Sequence, residues 1–124
     1  MKGRTRNSES VEDRFSRALL EAVDEGLLIL GSSVRDMVYY RLEKRCRLRR
    51  EEIPERLEDF HRALEGLFSA GAKVIEKLVA TRLYARLGLN FVEHEEWTVV
   101  GYANDAKKAE RYAPDSAIGP GTQR

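Results

Sequence analysis

The sequence VEDRFSRALLEAVDEGLLIL at residues 11–30 carries the apolar repeat that decides the fold class. Its apolar positions follow one another mainly at steps of three and four residues: Val11, Phe15, Leu19, Ala22, Val23, Leu27 and Leu30. Such positions share one stripe of an α-helix, so the spacing predicts a helix with one buried face. Ser8 or Ser10 is expected to cap its start, and Gly31 to stop it. The last turn, residues 26–30, is apolar all round and is expected to be deeply buried.

Two more helices are predicted before the middle of the chain. The second helix is expected to begin at a Ser32 or Ser33 cap and to end near Arg47. A proline restricts the residue before it, so Ile53 is expected to be extended and Pro54 to occupy the first turn of the third helix. The apolar positions of the third helix are Leu57, Phe60, Leu64, Leu67 and Phe68.

The second half of the chain predicts a fourth helix at about residues 72–87 and a short fifth helix at residues 98–111. Gly88 is expected to end the fourth helix, and Trp97 to anchor the fifth against the others. The predicted fold class is therefore all-α, a bundle of four main helices plus a short C-terminal helix. The predicted organisation is a disordered basic tail at residues 1–8, a single helical domain at 9–112 and a flexible tail at 113–124.

Composition narrows the class of protein. The chain has 124 residues, of which 42% are apolar and 35% charged, with a net charge of +1. This length predicts one domain, and the balanced charge gives no general attraction to nucleic acid or membranes. No apolar run is long enough to cross a bilayer, and the single cysteine, Cys46, excludes an intramolecular disulfide. We expect a cytoplasmic protein. The dense charge with few amide side chains suggests a thermophilic source, and a GC-rich genome is the alternative explanation of the excess of arginine.

Several segments of the chain carry a resemblance to a known family. They are LEK at residues 42–44, EEIPERLEDFHRALEGLF at 51–68, GAKVIEKLV at 71–79 and LYARLGL at 83–89. Together they resemble a family of small archaeal all-helical domains of unknown function, which occur alone and as output domains of archaeal sensory or regulatory proteins. The resemblance implies a helical fold and an interaction or signalling role. It implies no activity, cofactor or site residue.

The most pronounced local feature is a basic patch on residues 41–50. Its cations are Arg41, Lys44, Arg45, Arg47, Arg49 and Arg50. With Glu43 the run has a net charge of +5, whereas residues 51–65 have a net charge of −4. Guanidinium groups match phosphate oxygens, so one interpretation is nucleic-acid binding. The favoured interpretation pairs the patch with acids within one chain or between two copies, because the acidic neighbour repels a phosphate backbone. Those acids are Glu51, Glu52, Glu55 and Glu58.

No pattern of catalytic or metal-binding residues emerges. His61 and His94 have no second histidine or cysteine at ligand spacing, and Ser32 and Ser33 have no histidine nearby in sequence. We therefore expect neither catalysis nor a metal or cofactor. The predicted function is a protein–protein interaction or regulatory module that docks onto a protein partner or a second copy. Nucleic-acid regulation through the basic patch is the alternative. The predicted interface comprises Tyr39, Tyr40, Tyr84 and surplus apolar surface at residues 27–30.

Overall fold

A computed structural model describes residues 10–112 of the chain. The two predicted tails, residues 1–8 and 113–124, therefore lie outside the described residues. Five α-helices follow one another: α1 Val11–Leu28, α2 Ser32–Cys46, α3 Leu57–Phe68, α4 Gly71–Leu87 and α5 Val99–Tyr112. A 3-10 helix, Arg50–Glu55, lies between α2 and α3, and the described part of the chain has no strand. The predicted all-α class is confirmed.

The core is organised around the contact between α1 and α4, which is the most extensive helix pair. The predicted stripe of α1 is buried from Phe15 to Leu27, and it packs with the buried residues of α4. Those residues are Ala72, Ile75, Val79, Ala80, Leu83 and Tyr84. The two backbones come close at Gly26, where an added Cβ would lie 2.9 Å from Cγ2 of Val79. The spacing of apolar residues thus predicted the buried stripe of α1 correctly, but it did not predict that α4 packs against this stripe.

The start of α1 and the end of α4 follow the predicted signals, whereas the end of α1 and the start of α2 do not, since Ile29 and not Gly31 is the C-cap of α1. Ser10 caps α1, since its Oγ accepts a hydrogen bond from the backbone N–H of Asp13 at 3.0 Å. Gly88 ends α4 in the left-handed region with φ 72°. The expected cap at Ser32 or Ser33 is wrong, because α2 begins at Ser32 and its N-cap is Gly31. Gly31 has φ 118°, so the turn into α2 is made by a residue that tolerates positive φ and has no capping side chain.

The end of α1 differs from the prediction of deep burial. Gly26 and Leu27 are buried, but Leu28, Ile29 and Leu30 are 42%, 51% and 41% exposed. The helix ends at Leu28 and the chain turns toward α2. A helix packed by one face buries only the residues of that face, so an apolar run that goes all round must leave some side chains in water.

The segment around Pro54 also differs from the prediction. Ile53 is not extended but lies fully buried within the 3-10 helix, and Pro54 is inside that helix and not in α3. The fixed φ of proline suits a 3-10 turn, and burial of Ile53 stabilises this arrangement. Two carbonyls at the end of the turn, those of Glu52 and Ile53, accept hydrogen bonds from the backbone N–H of Arg56.

Aromatic rings fasten the irregular connection at residues 88–98 to α4 and α5. The ring of Phe91 lies 5.4 Å from Tyr84 and 5.2 Å from Tyr102, centroid to centroid. Trp97 packs against α5 where Gly101 leaves space, since an added Cβ would lie 3.2 Å from Cγ of the indole. The predicted anchoring role of Trp97 is confirmed.

Candidate functional site

The basic patch lies on the C-terminal half of α2 and on the residues that connect it to the 3-10 helix. Lys44, Arg45, Arg47 and Arg49 are exposed, and Arg41 is half-buried. Arg47 ends α2 with φ 52°, a left-handed conformation in which its backbone N–H donates to the carbonyl of Leu42. The run predicted from the sequence therefore does form a cationic surface, with one exception.

The exception is Arg50, which turns toward α1. Its Nε and Nη2 donate to the two carboxylate oxygens of Asp24 at 3.0 and 2.6 Å. The hydroxyl of Tyr39 donates to the same carboxylate. This group joins α1, α2 and the 3-10 helix, so Arg50 and Tyr39 hold the fold together and neither is free for a partner.

Charge pairing sets the ionisation of this group. Burial alone would raise the pKa of Asp24, but hydrogen bonds from Arg50 and Tyr39 outweigh burial and hold that pKa below its usual range. Burial and the neighbouring Asp24 carboxylate raise the pKa of the Tyr39 hydroxyl well above its usual value. Asp24 therefore stays a carboxylate and Tyr39 a neutral donor through the neutral pH range.

The favoured interpretation pairs the basic patch with the acidic stretch, either within one chain or between two copies. The other cations of the patch do not form such pairs within the described part of the chain. Among residues 10–112, the side chains of Arg41, Arg45, Arg47 and Arg49 make no ion pair with an acidic group. Lys44 places its Nζ 5.7 Å from the centroid of the Tyr40 ring. In the same range, the neighbouring acids Glu51, Glu55 and Glu58 are also exposed and unpaired. Only Glu52 is engaged: its Oε1 accepts the backbone N–H of Arg49 at 3.0 Å and lies 3.4 Å from Arg56.

A groove of about 400 Å³ separates the C-terminal half of α2 from α3. We call it the arginine groove. Its polar lining residues are Arg41, Arg45, Arg56, Arg62 and Asp59, and its apolar lining residues include Leu42, Cys46, Ala63 and Leu67. Four guanidinium groups face a single carboxylate, so the walls carry a net charge of +3. A cationic groove with apolar lining favours an anionic ligand that has an apolar part.

The predicted interface tyrosines have three different environments. Tyr40 is 61% exposed, as an interface residue should be, and Tyr39 is the half-buried donor to Asp24. The prediction for Tyr84 is wrong: its side chain is 4% exposed and its hydroxyl donates to Asp105 at 2.5 Å. Burial and Asp105 raise the pKa of Tyr84 above its usual value. Tyr84 faces α5, which the spacing of α4 residues alone does not reveal.

Large apolar side chains are exposed at the turn from α1 to α2 and on the outer face of α2. The turn carries Leu28, Ile29 and Leu30, and the helix carries Met37 and Tyr40. We call these five residues the apolar edge. Isolated exposed apolar residues need no explanation, but three in succession at one turn are typical of a protein contact.

A buried carboxylate on α4 was not predicted from the sequence. Glu76 is 4% exposed; its Oε2 lies 2.7 Å from Nδ1 of His61, and its Oε1 accepts the backbone N–H of Val99 at 2.8 Å. Glu76 thus caps the first turn of α5 and joins it to α3. Its partners lie 15 and 23 residues away, so spacing along the chain gives no signal of this site.

The remaining candidate residues come together in no reactive arrangement. His94 stacks on Trp97 at 3.8 Å between ring centroids, and the thiol of Cys46 is free and half-buried. Within the described range, no three His, Cys, Asp or Glu side chains are grouped as metal ligands. None of the helices described there is long and apolar enough to cross a membrane.

Comparison of the chain with protein-family models, curated proteins and solved structures finds no match. The resemblance to archaeal output domains therefore stays a prediction.

Proposed function

We propose that the chain is a protein–protein interaction module that acts as a homodimer through the apolar edge. The observation that carries this proposal is the exposure of three consecutive large apolar residues, Leu28, Ile29 and Leu30, at the turn between two helices. Burying such side chains is worth about 25 cal/mol for each Å² removed from water. Their exposure is costly unless a partner covers them.

A second copy supplies the matching charges at the other end of α2. Arg47 and Arg49 make no ion pair within residues 10–112, and they are close in sequence to Glu51 and Glu55, which make none there either. In a dimer with a two-fold axis, a contact between residue i of one copy and residue j of the other is repeated as a contact between j and i. The basic residues of each copy can therefore meet the acidic residues of the other. Adjacent patches of opposite sign are therefore self-complementary between copies.

The positions of the two surfaces along α2 support one orientation of the proposed dimer. The apolar edge begins at the N-terminal end of α2 and the charged patches lie at its C-terminal end, about 22 Å apart for 15 residues at 1.5 Å each. Apolar surface meets apolar surface, and charge meets charge, only if the two-fold axis runs along α2. Charge would then set register and partner choice, and apolar burial would supply affinity.

The apolar contact is tested by sedimentation equilibrium of Ile29→Asp against the matched control Val92→Asp. Val92 is equally a large exposed apolar residue, 62% exposed, but it lies on the connection between α4 and α5, away from the apolar edge. We expect Ile29→Asp to shift the chain to monomer and the control to keep the dimer. A wild-type chain that is monomeric at high micromolar concentration would contradict the proposal.

The orientation is tested by exchanging charge. One variant changes Arg47 and Arg49 to Glu, and the other changes Glu51 and Glu55 to Arg. Each variant alone places like charges opposite one another and is expected to dissociate, whereas a mixture of the two restores every pair and is expected to form a heterodimer. Failure of the mixture to associate, with both variants folded, would refute this arrangement of the charged ends.

Nucleic-acid binding remains the second candidate because one observation favours it. Lys44 of the basic patch lies over the exposed ring of Tyr40, and a basic surface with an aromatic ring suits single-stranded nucleic acid. Fluorescence anisotropy with a labelled oligonucleotide should then give a log affinity that falls linearly with log salt. Absence of binding at 20 mM salt would exclude this candidate.

A further inference from the structure

We propose that the arginine groove between α2 and α3 is a binding site for a small amphiphilic anion, a carboxylate or phosphate head group carried on a short apolar body. This site is separate from the apolar edge and does not depend on the dimer. Its volume of about 400 Å³ lies within the usual range for small-molecule sites.

Within the part of the chain that the structure describes, two of the four arginines in the groove form no ion pair that stabilises the fold. Arg56 is fully engaged: its Nε donates to Asp59 at 2.9 Å, and its Nη1 donates to the carbonyl of Arg47 at 2.8 Å. Arg62 lies 3.6 Å from the same Asp59 carboxylate. Arg41 and Arg45, by contrast, make no ion pair with any residue between 10 and 112. The head group of the ligand therefore belongs on Arg41 and Arg45.

The spacing of these two arginines makes an anion favourable there. Residues at i and i+4 are neighbours on a helix surface, so two unpaired guanidinium groups at 41 and 45 repel one another. An anion between them removes that repulsion and accepts charge-assisted hydrogen bonds from both. The fixed fork of a guanidinium matches the oxygens of either a carboxylate or a phosphate.

The apolar part of the ligand follows from the remaining lining residues. Leu42 and Cys46 from α2, with Ala63 and Leu67 from α3, offer hydrocarbon and sulfur surface and no charged side chain. An inorganic anion would leave this surface uncovered. A nucleic-acid strand fits poorly, because it presents a row of phosphates to a groove with two free cations and would bring them near Asp59.

Isothermal titration calorimetry with four probes separates the parts of this proposal. The probes are octanoate, octyl phosphate, inorganic phosphate and 1-octanol, each used below its micelle or solubility limit in 150 mM salt. We expect one site per chain for octanoate or octyl phosphate, with at least tenfold weaker binding of inorganic phosphate and of octanol. The tighter of the two amphiphiles identifies the head group. Equal affinity for inorganic phosphate and octyl phosphate would refute the apolar subsite.

A pair of variants assigns the binding to the groove. Arg41→Met with Arg45→Met removes both free charges and keeps the length of the side chains, and it should lower the affinity at least tenfold. The control, Lys73→Met with Arg82→Met, removes two exposed cations of α4 that lie outside both the groove and the proposed dimer contact, and it should leave the affinity within twofold. Equal loss in both variants would show a diffuse charge effect and overturn the site. Circular dichroism and sedimentation of each variant separate loss of ligand from loss of fold or dimer.

Discussion

Substitution of Gly26 by alanine tests the central feature of the fold, the close contact between α1 and α4. Gly26 is buried near the end of α1, and a Cβ there would lie 2.9 Å from Cγ2 of Val79, 3.2 Å from its backbone nitrogen and 3.4 Å from its Cα. The first neighbour can rotate, but the other two belong to the backbone of α4. Relief of the overlap therefore requires the two helices to move apart.

Gly66 provides a matched control for this change. It lies two residues before the end of α3, as Gly26 lies two residues before the end of α1, and no atom lies within 4 Å of its added Cβ. Gly66→Ala should stabilise the protein by about 0.5–1 kcal/mol through helix propensity. Gly26→Ala gains the same propensity but adds an overpacking cost of about 1–3 kcal/mol. The difference between the unfolding free energies of the two variants therefore gives the packing cost alone.

Urea unfolding followed by circular dichroism measures both variants. We expect Gly26→Ala to be less stable than Gly66→Ala by about 1–3 kcal/mol, a separation of roughly 4–12 °C in thermal midpoint for a domain near 100 residues. A Gly26→Ala protein as stable as Gly66→Ala would refute the close approach of α1 to α4 and the core built around it.

Two further predictions concern charged groups that hold elements together. The pKa of Asp24 lies below its usual 3.8 in the folded chain, so its pairing stabilises the fold above about pH 4, and this contribution is lost as the pH falls through the folded pKa. Asp24→Asn should therefore cost about 1–2 kcal/mol at pH 7, and the cost should fall as the pH is lowered below 4, measured by urea unfolding over that range. A cost that does not change with pH would contradict this. Glu76→Leu should cost about 2 kcal/mol because it leaves Nδ1 of His61 and the N–H of Val99 without their hydrogen-bond partner. Glu58→Leu on the surface should change stability by less than about 0.5 kcal/mol.

The helices were predictable because their signals are local. The stripe from Phe15 to Leu27, the Ser10 cap and the Gly88 stop each depend on residues within one or two turns, and the structure confirms all three. The errors occur where a contact between residues far apart in the sequence determines the local conformation. Burial of Ile53 in the core turns the segment around Pro54 into a 3-10 helix, and nothing within a few residues of Pro54 reveals that contact.

The candidate sites were less predictable than the helices for the same reason. The sequence located the basic patch, but it did not distinguish Arg50, whose partner Asp24 is 26 residues away, from the free Arg49 beside it. It assigned Tyr84 to an interface, although that side chain faces α5. Charge and apolarity along the sequence show which residues are able to bind a partner. The folded structure is needed to show which of these residues are already occupied by contacts within the protein.

Among the described residues, the ion pairs between helices are concentrated on α1 and leave much of the outer face of α2 unpaired. Cross-element pairs tie α1 to its neighbours: Arg86 of α4 binds Glu21 and Glu25, and Arg14 binds Glu110 of α5. The outer face of α2, in contrast, carries free cations, and only Val38 and Leu42 of its 15 residues are fully buried. A helix that contributes so little to the core can keep unpaired charge and exposed apolar groups at small cost in stability. Binding can be selected on such a surface independently of folding. Variants on the outer face of α2 should therefore change association and ligand affinity, while the free energy of unfolding of the monomer stays nearly constant.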